Sequence, residues 1–270
     1  MDIDGSICVV TGASSGIGMA TARLLAAKGA RIVLAARRAE RLESLAAELP
    51  GSLAVPTDVT RPEQIERLVV QTLATFGRLD ILVNNAGQGL HVPLEEVDPI
   101  DLRAVFELNV IAPLVAMQAV LPVMRDQAAG AVVNVSSATS LRAFPGLGGY
   151  AATKAALNML SQVGRLELAD AGIAVSLVYP SVTATEFHER LRAGHLVRGP
   201  WSIQPDPPEL AATAIAFAVE SGVAHVLVAD PPQAITPGDG EGWGALLARQ
   251  SPRVGEPKAS LTVEEVEEQG

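Results

Sequence analysis

The chain holds a single cysteine in 270 residues. No disulfide can form within it, which fits a reducing compartment. Cys8 lies in the apolar run Ile7 to Val10 and reads as a buried thiol. Basic charge is scarce as well: 20 Lys and Arg stand against 30 Asp and Glu, a net charge of -10. Nucleic-acid affinity rests largely on phosphate neutralisation, so no nucleic-acid partner is expected. Only four histidines occur. His188-Glu189 followed by His195 hints at a metal site, but a zinc-protease helix needs His at 192, where this chain has Arg192. No metal is expected. Long hydrophobic runs are missing too. The longest, Val110 to Met124, is interrupted by Pro113, Gln118 and Pro122, too short and broken for a membrane span. Ile7 to Val10 already reads as a core strand, leaving no room upstream for a signal peptide. These absences together lead to the expectation of a cytoplasmic protein.

What is present is apolar and periodic. At 49% hydrophobic and 19% charged, the chain suits one large α/β domain. Short apolar runs at 7–10, 32–35, 53–55, 81–83, 131–135, 174–178 and 226–228 alternate with helical patterns at about 16–28, 40–48, 62–76, 101–124, 151–169 and 209–220. Near-continuous apolar strands separated by helices argue a parallel sheet covered on both faces. Residues 1–230 are expected to form this domain, with an irregular lid at about 182–208 rich in proline. Residues 231–270, rich in Gly, Pro and Glu, are expected to be a poorly ordered tail, with one docked helix around 243–249.

Thr11-Gly12-Ala13-Ser14-Ser15-Gly16-Ile17-Gly18 follows the first strand and opens a helix. Glycines there permit a tight turn and let backbone N–H groups approach a pyrophosphate at the helix N-terminus. A carboxylate at the end of the second strand would accept from a ribose 2′-hydroxyl and repel a 2′-phosphate. This chain has Ala36 and then Arg37-Arg38, whose guanidinium forks match a phosphate. NADP(H) is therefore expected over NAD(H); solvated arginines ahead of a helix are the bland alternative. After the third strand, Asp58 can accept from an adenine amino group while Val59 packs the ring; alone, Asp58 would read as a helix cap. Asn84-Asn85-Ala86-Gly87 leaves room for a flat ligand, and its amides can tie strand ends together.

Tyr150 and Lys154 lie four residues apart at the start of an Ala-rich helix. That spacing puts a phenol and an ammonium on one face. A phenol with a pKa near ~10 is a poor acid or base at neutral pH, and a nearby cation favours the phenolate. The pair is suited to moving a proton on and off an oxygen.

In their order, Thr11-Gly12…Gly16-Ile17-Gly18, Asp58, Asn84-Asn85-Ala86-Gly87, Asn109, Ser136-Ser137 and Tyr150…Lys154 resemble the short-chain dehydrogenase/reductase family over about residues 5–230. The resemblance implies a Rossmann-like, doubly wound sheet of about seven strands, a nicotinamide cofactor and a catalytic group of Asn109, Ser137, Tyr150 and Lys154. By position Tyr150 is the general acid/base. Lys154 would bind the nicotinamide ribose and lower the Tyr150 pKa. Ser137, rather than Ser136, would polarise the substrate carbonyl, and Asn109 would hold a water that relays protons to the lysine. Gly12, Ser14, Ser15, Gly16, Ile17, Gly18, Arg37, Arg38, Asp58, Val59, Asn85, Ala86, Gly87, Pro180, Thr183 and Thr185 would complete the cofactor site.

Two departures from the family pattern stand out. Pro180-Ser181 replaces the usual Pro-Gly after the sixth strand, and the last strand ends Ala229-Asp230-Pro231-Pro232 rather than Asp-Gly-Gly. The substrate wall is expected from Ser137, Leu141, Phe144, Phe187 and Trp201, with Gln88, Leu90, His91, Thr139, Arg142, Leu147, Leu191 and Leu196 nearby. Their apolar character suggests a lipophilic ketone, aldehyde or secondary alcohol; Arg142 is either a carboxylate anchor or solvent-facing. The helix at 151–169 has two apolar faces. The second would meet another copy, in a homodimer or homotetramer, or neighbouring helices of the same chain. The expected activity is NADP(H)-dependent hydride transfer between a carbonyl and an alcohol. A catalytically silent NADP(H)-binding sensor or scaffold is the alternative.

Overall fold

A computed structural model describes residues 1–195 and 204–235. Trp201, Leu196 and the expected tail helix at 243–249 lie outside the described residues. The strands are β1 (Ile7–Thr11), β2 (Arg31–Ala36), β3 (Leu53–Pro56), β4 (Ile81–Asn84), β5 (Gly130–Val135), β6 (Ile173–Tyr179), β7 (His225–Leu227) and β8 (Gln233–Ala234). The helices are α1 (Gly16–Ala27), α2 (Ala39–Glu48), α3 (Pro62–Phe76), α4 (Pro99–Phe106), α5 (Ala112–Asp126), α6 (Gly148–Leu168) and α7 (Pro208–Ser221).

One sheet runs β3-β2-β1-β4-β5-β6-β7-β8. The first seven strands pair in parallel, and β8 pairs antiparallel with β7, Leu227 opposite Gln233. The sheet thus has eight strands, one more than expected. The eighth is two residues long and follows Pro231-Pro232, so it carries no periodic signal, and it draws residues 233–234 of the expected tail into the sheet.

Alternate side chains along each strand point to opposite faces. Cys8, Val10, Ile32, Leu34, Ile81 and Val83 bury against Ala22 and Leu25 of α1, Leu42 of α2 and Ile215 of α7. Val9, Val33, Leu82, Val132 and Val175 bury against Ile65 and Leu68 of α3 and Met117, Val120 and Met124 of α5. Helices on both faces and near-continuous apolar strands are two views of one arrangement. Cys8 is fully buried, and burial, with the Asp80 charge, pushes its thiol pKa well up.

The helix expected at 101–124 is three pieces: α4, a π-helical turn over Glu107–Ile111, and α5. By length and composition Pro99–Asp126 would suffice to cross a membrane. Its apolar side instead packs on the sheet through Ala112, Ala116, Met117, Val120 and Met124, so it is a core helix.

Strand order reverses between β1 and β4, so chain crossings leave that point in opposite directions. Ligands in such sheets bind beyond the carboxyl ends of the strands there. The turns after β1, β2, β4, β5 and β6 converge on that place.

Candidate active site

The cleft at the switch point has a volume of about 1360 Å³, larger than a pocket for one small ligand. At one end lie Gly12, Ser14, Ser15, Gly16, Ile17, Arg37, Arg38, Asp58 and Val59; at the other lie Ser137, Phe144, Tyr150, Lys154 and Phe187. Asn85, Ala86, Gly87, Pro180, Thr183 and Thr185 line the stretch between.

The glycine turn is built by close approach. Gly16 has φ +53°, and Thr185 Cγ2 would lie 2.9 Å from a Cβ at that position. Gly18 does not line the cleft. A Cβ there would meet Asn85 Nδ2 and the Gly12 carbonyl oxygen at 2.5 Å. Gly18 therefore lets α1 pack under the loop, and its neighbours face the groove. Asn85 ties the strand ends together as expected: its Nδ2 donates to the Thr11 carbonyl at 2.9 Å. Thr11 Oγ1 in turn accepts from the N–H groups of Asn85 and Ala86 at 2.9 and 3.1 Å.

Asp58 is not a helix cap. Its Oδ1 accepts from the Thr60 N–H at 3.0 Å and the Thr60 hydroxyl at 2.7 Å, closing a local turn. Burial raises its pKa, but the Thr60 hydrogen bonds and the charges of Arg37 and Arg61 outweigh that, and the net shift is downward.

Arg38 caps the start of α2 and folds back over the glycine turn. Its guanidinium donates to Ser14 Oγ at 2.9 and 3.1 Å, to Ser15 Oγ at 2.7 Å and to Glu186 at 2.8 Å. Glu186 carried no signal in sequence: it is one carboxylate in a loop, 148 residues from its partner.

At the other end, Gly149 in the first turn of α6 packs so closely on Leu90 that a Cβ would lie 2.9 Å from Leu90 Cδ2. This seats Tyr150 in the first turn, where Ser137 hydrogen-bonds its phenol. Ser136 points elsewhere, donating to Asn158 Oδ1 at 2.5 Å. The two serines thus bond to different partners. Lys154 is buried, lies 5.9 Å from the centre of the Tyr150 ring, and donates to the Val135 carbonyl at 2.8 Å.

The proton affinities differ from the sequence expectation. Burial pushes Tyr150 up to about 12, opposed by the Ser137 hydrogen bond. Burial pulls Lys154 down to about 8. Desolvation of the phenolate outweighs the pull of an ammonium that is itself desolvated and turned to a carbonyl. Tyr150 therefore holds its proton at neutral pH.

Asn109 sits fully buried in the π-helical turn. Its Oδ1 accepts from the Gln88 N–H at 2.9 Å, and its Nδ2 donates to the Gln88 carbonyl at 2.9 Å and to Thr153 Oγ1 at 3.0 Å. The extra residue of a π turn aims this amide at the loop after β4. Asn109 thereby clamps that loop to α6, one residue before Lys154.

His91 and Phe187 pack on Tyr150 with ring centres 6.0 and 5.6 Å away. Burial, then the neighbouring His188, pulls His91 down to about 4, so it is neutral at pH 7. Leu141 does not reach the cleft; it packs with Leu177, Tyr179 and Leu227 behind β6. Arg142 lines the cleft, its guanidinium 5.6 Å from the centre of the Phe144 ring. Ser181, the departure from Pro-Gly, has no positive φ, so the turn does not use a glycine's freedom. Its hydroxyl bonds Asp206, which closes the base of the lid through Val182 and Ala184. Among the described residues no three His, Cys, Asp or Glu side chains cluster to hold a metal ion.

The short chain dehydrogenase family model matches residues 6–195. An uncharacterised oxidoreductase of Listeria innocua is 34% identical over 229 residues, 82% of this chain and 92% of its own length. One from Staphylococcus aureus strain MW2 is 38% identical over 181 residues, 66% of this chain and 78% of its own length. The crystal structure of a short-chain dehydrogenase from Streptomyces avermitilis superposes with TM-score 0.75 at 34% identity, covering 91% of this chain and 93% of that one. A 3-ketoacyl-(acyl-carrier-protein) reductase from Brucella melitensis, complexed with NADH, superposes with TM-score 0.77 at 28% identity, covering 85% and 99%. The fold and these relatives define an oxidoreductase. The chain belongs to the short-chain dehydrogenase/reductase family.

Proposed function

We propose that this protein reduces a lipophilic ketone or aldehyde to an alcohol with NADPH, Tyr150 delivering the proton. The observation that carries the reading is the buried Ser137–Tyr150 hydrogen bond, with Lys154 one helical turn on, at the end of a cleft that reaches Arg38. The groove fits a dinucleotide. Gly12 to Ile17 offer a turn and helix N-terminus for the pyrophosphate. Asp58 and Val59 would flank the adenine, and Arg37 and Arg38 would flank the 2′-phosphate. Asn85 to Gly87, Pro180, Thr183 and Thr185 would hold the nicotinamide end.

When bound, the reduced nicotinamide supplies a hydride, with its electron pair, to the substrate carbonyl carbon. The residues do the rest. Ser137 donates to the carbonyl oxygen and fixes it beside Tyr150. Tyr150, held protonated by burial, transfers its proton to that oxygen as negative charge develops there. Lys154 would stabilise the resulting phenolate by its charge until a proton from water restores the phenol, and would hold the ribose; Asn109 keeps the loop after β4 in place. The net change is carbonyl plus hydride plus proton to alcohol, the proton coming finally from water. Phe144, Leu147, Val182 and Phe187 give the far wall its apolar character.

The test compares NADPH with NADH across a panel of carbonyl compounds. Turnover with NADPH at least tenfold more efficient than with NADH supports the reading; equal or better turnover with NADH sinks the cofactor assignment.

The reading also includes a homodimer or homotetramer. On α6, Met159, Val163 and Leu166 are 60, 43 and 79% exposed. These apolar residues recur three and four apart along one outer face, as a helix meeting another copy would require.

A further inference from the structure

The lid carries an anion of its own into the place read above as the 2′-phosphate site. Glu186 stands in a short 3₁₀ turn, Glu186–Glu189, immediately after Thr185. Thr185 packs against Gly16 of the glycine turn, so the lid is already seated on the cofactor groove there. One Glu186 oxygen takes a hydrogen bond from Arg38 at 2.8 Å and lies 3.2 Å from Arg190 Nε; the other accepts from Arg41 at 2.5 Å. Arg38 is simultaneously bonded to Ser14 and Ser15. Three guanidinium groups thus surround one carboxylate at the start of α2, and two hydroxyls hold one of the three, Arg38, in place. The Arg41 and Arg38 hydrogen bonds, despite some burial, hold that carboxyl down to about 2, so it is ionised throughout the working range.

We propose that Glu186 is an internal substitute for the 2′-phosphate and sets how strongly the protein discriminates NADP(H) from NAD(H). This rests on the reading that Arg38 receives a 2′-phosphate. A phosphate and a carboxylate cannot share Arg38 and Arg41 without like-charge repulsion at close range. A 2′-phosphorylated ligand therefore has to displace Glu186, and with it the first turn of the lid. A ligand with a free 2′-hydroxyl leaves the Glu186 contacts in place. Glu186 accordingly weakens NADP(H) specifically, and it couples the position of the Glu186–Glu189 turn to the presence of the phosphate. This is a competition between two anions for one cationic site, so its free energy appears as a ratio of affinities.

The experiment is calorimetric titration of the full chain with 2′,5′-ADP and with 5′-AMP, which differ only by the phosphate and bypass catalysis. Glu186→Gln keeps the side-chain shape and removes the charge; Glu186→Ala is the second variant. Both variants are expected to bind 2′,5′-ADP about tenfold more tightly than the wild type, with 5′-AMP unchanged. Unchanged or weaker 2′,5′-ADP binding overturns the proposal. So does equal tightening of both ligands, which would mean that the lid had merely loosened. Arg38→Ala separates this from the cofactor reading. If the wild type prefers 2′,5′-ADP and Arg38→Ala abolishes the preference while Glu186→Gln leaves it unmoved, Glu186 alone is wrongly assigned. If the wild type shows no preference and Arg38→Ala changes nothing, the 2′-phosphate site itself falls, and Glu186 with it.

Discussion

At the scale of single residues, the cleft depends on atoms that have no room to move. Gly18 is the clearest case, because a methyl group there would lie 2.5 Å from both Asn85 Nδ2 and the Gly12 carbonyl. Gly18→Ala should cost about 1–3 kcal/mol, the usual range for forcing a group into packed surroundings. Urea unfolding would read that loss, and the same variant should bind NADPH more weakly because Asn85 shifts. Asn109 is a second case. Removing its amide leaves the Gln88 N–H and carbonyl without their buried partner. Asn109→Ala should destabilise the fold by about 1–3 kcal/mol, the cost of unsatisfied buried polar groups. The family resemblance, not any local pattern, singled out Ser137 over Ser136; in the structure Ser137 bonds Tyr150 and Ser136 bonds Asn158. Glu186 was invisible by the same route. Its partners Arg38 and Arg41 lie at the cap and in the first turn of α2, 148 and 145 residues away, and no periodic pattern connects a loop carboxylate to a distant helix start.

At the scale of elements, most strands and helices could be read because each satisfies a simple period. Strands buried on both faces are continuous apolar runs, and α3 carries Pro62 at its start and Gly77 at its end. The π turn at Glu107–Ile111 escaped notice because one extra residue hardly disturbs a helical pattern of that length. It carries the clamp between Asn109 and a loop 21 residues earlier, a tertiary contact that no local pattern announces. β8 escaped because two residues after a proline pair form no pattern. The outer face of α6 was legible as a second apolar face, and it supports a prediction of its own. Replacing Met159 and Val163 together by lysine should shift the protein from dimer or tetramer toward monomer in sedimentation, with its helical circular dichroism retained. An unchanged sedimentation coefficient would mean that copies meet elsewhere.

At the scale of the whole molecule, the buried Tyr150 and Lys154 tie stability to pH. Lys154 titrates near 10.5 in the unfolded chain and near 8 in the folded one. Between those values the unfolded chain binds more protons, so stability rises with pH. The contribution of Lys154 is fully present above its unfolded pKa and is lost as pH falls through about 8. Wild type should therefore gain stability relative to Lys154→Met on going from about pH 7 to about pH 10, measured by urea unfolding. Tyr150, raised from 10 to about 12, has the opposite sign, acts only above that range, and is common to both proteins.

The central claim is that Tyr150 hands a proton to a substrate oxygen beside a bound nicotinamide. Its most direct test is Tyr150→Phe, measured twice: NADPH affinity by titration, and turnover of a reducible carbonyl compound by loss of nicotinamide absorbance. Phenylalanine keeps the ring that packs on His91 and Phe187 and removes only the hydroxyl bonded to Ser137. The expected result is unchanged NADPH affinity with turnover lowered about 10²- to 10⁴-fold, the range for losing a general acid. A variant that binds NADPH normally and retains more than about a tenth of the wild-type rate would contradict the account, since so small a loss falls short of removing a general acid.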